Sequence, residues 1–167
     1  MFKAIFAAAF LATSAASASA QWVTQKHGGE FDDNATYIAL TAKGDYALGF
    51  RCNQDEAKVI LITPEKVSDS TSLDMIGTVG PKLRLKVDSG AIVDLDAELD
   101  ETKGTLGVLA DVDVAMLKNV RDAKSKVSAV LTIMGQNFHE TTFNVRGSTA
   151  AIGKLIKECK LDERGSS

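Results

Sequence analysis

Between Lys82 and Leu99 apolar and charged residues alternate with a period of two, and no other pattern in the chain limits the fold so tightly. Leu83, Leu85 and Val87 alternate with Lys82, Arg84 and Lys86; after a turn at Asp88-Ser89-Gly90, Val93, Leu95, Ala97 and Leu99 alternate with Asp94, Asp96, Glu98 and Asp100. A helix cannot use that period, because it would scatter the apolar residues around its whole circumference. The pattern predicts an antiparallel hairpin with one apolar face and one charged face, a basic strand lying against an acidic one. Opposite charges directly across such a pair contribute about 0.2–1 kcal/mol each and oppose register slippage. The acidic stripe does not read as a calcium loop, since Asp94 to Leu99 lacks the turn glycine that draws oxygen ligands together.

The rest of the chain supplies more strands. Thr36 to Ala42 and Tyr46 to Cys52 read as a hairpin turning through Lys43-Gly44-Asp45. Lys58 to Thr63 carries the continuous apolar run Val59-Ile60-Leu61-Ile62 and predicts a centrally buried strand that stops at Pro64. Glu65 to Pro81 is polar and predicts a loop, with at most one irregular strand around Leu73 to Val79. A short strand through Leu106, Val108 and Leu109 precedes a helix capped by Asp111, and Lys126 to Met134 forms a further hairpin with Phe138 to Val145 through Gly135-Gln136-Asn137. Strict alternation in its second strand places Phe138 and Glu140 on one side and His139, Thr141 and Phe143 on the other. The last element is a helix capped by Ser148 or Thr149, with Ile152, Leu155, Ile156 and Cys159 at i, i+3, i+4 and i+7. Lys154, Lys157 and Lys160 fall on its solvated face. The expected fold class is mainly β (α+β): an antiparallel sheet or sandwich covered by this C-terminal helix.

The N-terminus predicts export. Lys3 precedes a short apolar run from Ala4 to Ala12, and Ala18-Ser19-Ala20 has the small-x-small form accepted by signal peptidase, so residues 1–20 are expected to be removed before Gln21. The apolar run is far shorter than the roughly 20 residues needed to cross a bilayer, and no second span follows it. The expected product is one β-rich periplasmic domain over residues 21–167, with secretion as the alternative destination. Cys52 and Cys159 are the only two cysteines. In an oxidising compartment they are expected to pair, and the inward position of Cys159 on its helix would clamp that helix to the strand ending at Cys52. Free, reactive thiols are the alternative, but no C-x-x-C motif is present.

Charge and motifs narrow the function. Without Lys3, 18 basic residues stand against 22 acidic ones, interspersed along the chain, which excludes the clustered basic face of a nucleic-acid binder. His27 and His139 have no second ligand at helical or turn spacing, so no metal site or cofactor is expected. No hydrolase or phosphate-loop motif occurs. Asn34-Ala35-Thr36 matches a glycosylation sequon by pattern.

The stretch Thr142-Phe143-Asn144-Val145-Arg146-Gly147, followed by Ala151-Ile152 and Glu158-Cys159, with Trp22 and Arg51-Cys52 before it, resembles small exported bacterial proteins. These include accessory proteins associated with type VI secretion. The resemblance covers the framework and implies a periplasmic, disulfide-clamped form. The leading expectation is therefore a non-enzymatic envelope protein that binds another envelope or periplasmic protein through a sheet face or edge. The alternatives are a small-ligand or lipid carrier, which needs a lined cavity, and a cell-wall hydrolase using His139 and Glu140 beside a groove.

Overall fold

The computed structural model describes residues 21–28, 35–53, 55–68 and 70–164. The expected leader and Asn34 of the sequon lie outside the described residues. In chain order the elements are β1 (Val23–His27), β2 (Thr36–Lys43), β3 (Tyr46–Cys52), β4 (Ala57–Lys66), α1 (Ser70–Gly77), β5 (Lys82–Val87), β6 (Ile92–Asp96), β7 (Glu98–Thr102), β8 (Thr105–Asp111), α2 (Val114–Asp122), β9 (Lys126–Ile133), β10 (Gln136–Asn144), α3 (Ser148–Glu158) and α4 (Leu161–Arg164).

Two antiparallel sheets result, one ordered β1-β2-β3-β4-β8-β7 and the other β10-β9-β5-β6. One contiguous core joins them. Leu48, Phe50, Val59, Leu61 and Val108 of the first sheet share it with Leu83, Leu85, Val127, Leu131 and Phe143 of the second. Met116, Leu117 and Val120 of α2 and Ile152, Leu155 and Ile156 of α3 complete it, so both helices are held by their apolar stripes. α3 lies on β1, β2 and β3 and against α2. Trp22 enters the same core, stacked on Phe50 at 5.9 Å, with its indole N–H donating to the Asn144 carbonyl at 2.9 Å. Cys52 and Cys159 form a disulfide with their Cα atoms 6.1 Å apart, joining the end of β3 to the C-terminus of α3 as the sequence predicts.

The basic and acidic strands pair as expected, Lys82 opposite Asp96 and Arg84 opposite Asp94. Both pairs form ion pairs, with Arg84 Nε 2.7 Å from Asp94 Oδ1. The acidic strand is shorter than the alternation predicts, however. It breaks at Ala97, whose N–H donates to the carbonyl of Pro81, the residue just before β5, and the chain crosses into the other sheet as β7. Alternation continues across the break because β7 also has one face turned to the core, so periodicity alone could not reveal it.

Other boundaries differ for local reasons. Pro64 does not end β4; it sits in an irregularity between Ile62 and Lys66 where β8 pairing lapses, the kind of place a strand tolerates a missing N–H. The segment expected as loop or irregular strand contains α1, which buries Leu73 and half-buries Ile76 at helical spacing and packs on β7. The cap of α2 is Asp113, not Asp111: its Oδ1 accepts from Met116 N–H at 2.7 Å, while Asp111 still belongs to β8. α3 starts from Gly147 at φ +84, with neither Ser148 nor Thr149 capping it. Ser148 is buried in its first turn, and the Thr149 hydroxyl donates instead to the Arg121 carbonyl. The last hairpin turns one residue early, at Met134-Gly135, both with positive φ as a type I′ turn demands.

A bulge changes the facing of β10. His139 and Glu140 together oppose the single residue Val130, and His139 takes φ +56. The extra residue shifts the parity, so Phe138 pairs with Leu131 and joins the face of Thr141 and Phe143, contrary to strict alternation.

Candidate interaction surface

The six-stranded sheet has a second apolar face. On β4, Val59 and Leu61 point into the core, so Ile60 and Ile62 point away from it. The register then carries one row across the sheet through Val23, Leu40, Gly49, Ile60 and Leu109. A neighbouring row runs through Ala42, Ala47, Ile62 and Gly107. Leu40, Ile60 and Ile62 are half-buried and lie outside the core cluster, Val23 is exposed, and Leu109 at the end of the first row is buried. Among the described residues no helix or strand is stacked over this face.

An antiparallel sheet with one solvated face usually alternates apolar with polar residues. Here the outward positions are apolar across five strands, a strip roughly 19 Å wide by the spacing of strands. Gly49 sits in its middle, between Leu40 and Ile60, whose side-chain atoms would stand 3.4 Å from a Cβ placed there. The strip is bordered by charge. A third row sets Ile38, Arg51, Lys58 and Asp111 side by side, and Glu98 and Asp100 follow on β7. Lys58 Nζ lies 3.5 Å from Glu98, 3.6 Å from Asp111 and 3.7 Å from Glu56. Burial works against its charge, but the combined fields of Asp111, Glu98 and Glu56 outweigh it and hold its pKa above the ordinary lysine value. One cation shared by three carboxylates leaves this border net negative.

The disulfide is set apart from that surface. Cys52 and Cys159 are 1 % and 2 % exposed, inside the core between α3 and β3, so neither sulfur is presented to solvent. The residues weighed for hydrolysis are not brought into one site. The His139 ring turns toward Tyr46, its Nδ1 3.4 Å from the hydroxyl. Glu140 instead lines a shallow hollow of about 310 Å³ on the other sheet, with Arg84, Lys86, Ser128 and Thr142. His27 is exposed at the end of β1. The apolar strip was missed because its residues come from separate strands and only the register assembles them. Its one local signal was the uninterrupted run Val59 to Ile62.

No protein-family model and no curated protein matches this sequence. Among solved structures, the chain is similar to invasion associated protein B from Bartonella henselae, with 18% identity and a TM-score of 0.54 over 85% of this chain and 95% of that one. Nothing in this likeness speaks to type VI secretion. At that identity the likeness is one of fold, the same arrangement reached with a largely different sequence.

Proposed function

We propose that this is a non-enzymatic, exported cell-envelope protein that works by binding another protein through the outer face of its six-stranded sheet. The observation that carries the reading is the apolar row through Val23, Leu40, Gly49 and Ile60 on the face turned away from the core cluster, running out at the buried Leu109. A contiguous apolar patch on a sheet face is often a contact site. The fitting partner is a folded protein with a flat apolar surface and a cationic margin, the margin meeting Glu98, Asp100 and Asp111. A periplasmic setting is consistent with the disulfide and with the finding that, among the described residues, no helix is long and apolar enough to cross a membrane. From the neighbouring structure the proposal takes the fold alone.

The test is a photocrosslinking residue at Ile60, followed by purification of the captured partner and direct binding measurements with Gly49→Lys. A Cβ at Gly49 would stand 3.4 Å from its nearest neighbours, so the site accepts a side chain. Glycine inside a strand costs about 0.5–1 kcal/mol, and the substitution should leave the fold as stable or more so. It should weaken binding of the identified partner at least tenfold. Equal affinity for the variant, or crosslinks only to a second copy of this chain, would refute the reading.

A further inference from the structure

Strand β6 is an edge strand with a prepared surface beside it. It pairs with β5 alone, and no strand among the described residues pairs with its other edge. Along that edge Val93 and Leu95 face Val112, Ala115 and Met116 across a groove of about 530 Å³. A second hollow of about 380 Å³ shares Val93, Met116 and Asn119 with it and extends the trough to Gly90 and Ala123.

The charge of the trough is one-sided. Asp111 and Asp113 line one half and Asp88 and Asp122 the other, and neither half is lined by a lysine or arginine, although Asp111 pairs with Lys58 and Asp122 with Arg121. Asp113 and Asp88, held by backbone N–H groups, keep uncompensated charge. On the outward face of β6, Asp94 and Asp96 are exposed. The edge already occupied shows what such a strand accepts. β5 reads Lys82-Leu83-Arg84-Leu85-Lys86, its leucines buried beside Leu95 and Val93 and two of its cations paired with Asp96 and Asp94. The free edge offers the same two faces, carboxylates outward and apolar side chains inward.

A second copy of β6 is the wrong occupant, because edge-to-edge pairing would bring aspartates against aspartates. We propose that the free edge of β6 and its trough bind an extended segment of a partner chain in which apolar residues alternate with lysine or arginine, added as a fifth strand to the four-stranded sheet. Main-chain hydrogen bonds to β6 supply affinity and the two faces supply specificity. This site lies on the four-stranded sheet, apart from the apolar strip, and shares only Asp111 with the strip's acidic margin.

The probe is a synthetic peptide, Lys-Leu-Arg-Leu-Lys-Val with blocked ends, titrated into the oxidised exported protein and followed by fluorescence anisotropy and amide hydrogen exchange. Saturable binding is expected, with new protection confined to residues 92–96 and an affinity that falls at high salt. Ala115→Arg, at an exposed helix position lining the groove, should weaken binding at least tenfold, and Asn119→Arg should do the same if the first variant folds poorly. A peptide with glutamate at the basic positions should not bind. The proposal is overturned by no binding up to about 1 mM peptide, by equal binding of the acidic peptide, by arginine variants that bind normally, or by protection outside β6.

Discussion

Removing the disulfide tests where its stabilisation resides. Cys52 and Cys159 are separated by 107 residues, and the bond closes most of the described chain into one loop. In the chain-entropy treatment a loop of that length restricts the unfolded ensemble by about 4.8 kcal/mol at room temperature. Against a total of roughly 5–15 kcal/mol for an ordinary domain, that is a large share. For a domain of about 150 residues it corresponds to a fall in Tm of roughly 10–20 °C. The native state should survive the loss, because α3 also buries Ala151, Ile152, Leu155 and Ile156. Fully burying a side chain the size of leucine or isoleucine contributes about 1.5–3 kcal/mol.

The Cys52→Ala, Cys159→Ala double variant should therefore keep the far-ultraviolet and near-ultraviolet dichroism of the parent, the latter reporting Trp22 stacked on Phe50. It should unfold at a lower urea midpoint and with a larger m-value, since its unfolded chain is no longer looped and exposes more surface. A loss below about 1 kcal/mol with an unchanged m-value would refute the loop argument. Loss of the near-ultraviolet signal before unfolding would show that the bridge, not the apolar stripe, holds α3 in place.

Three further outcomes are open to measurement. Asp113→Ala should cost about 1 kcal/mol in reversible thermal unfolding because it strips the cap from Met116 N–H, whereas Asp113→Asn should retain most of it. The carboxylate of Asp88 is held below the usual range by N–H groups of Lys124 and Lys126, then of Ser125. A depressed carboxylate stabilises above its unfolded value and loses that contribution as pH falls through its folded value. Urea titrations of Asp88→Asn should thus show a flatter decline of stability below about pH 4 than the parent. Leu61→Ala should destabilise by about 2–5 kcal/mol and Ile60→Thr by much less, because only Leu61 faces the core; similar losses at both positions in urea unfolding would place Ile60 under a cover the fold does not provide.

What the sequence made legible was whatever a local period encodes. The hairpins, the cross-strand charges at Lys82 and Arg84, the stripe of α3 and its terminal cysteine all repeat at two or 3.6 residues, and each stands where expected. What escaped was set by partners distant in the chain. Ala97 bonds back to Pro81, the residue just before β5, and the chain then passes into the other sheet, but nothing in the alternation around Ala97 marks that crossing. His139 and Glu140 were adjacent candidates, but the bulge opposite Val130 sends one toward Tyr46 and the other to the far face of its own sheet.

The run Val59-Ile60-Leu61-Ile62 carries the same point into function. Read locally, four apolar residues in succession signify a strand covered on both sides. β4 does lie in the middle of its sheet, yet only Val59 and Leu61 meet the core. Ile60 and Ile62, like Ile38 and Leu40 on β2, are half-buried and lie outside the core cluster. Register places Leu40 and Ile60 on either side of Gly49, the one position in the row with no side chain. A surface laid across this row would cover Leu40 and Ile60 together, and a long side chain added at Gly49 would stand between it and both, which makes Gly49 the position at which folding and binding separate most cleanly.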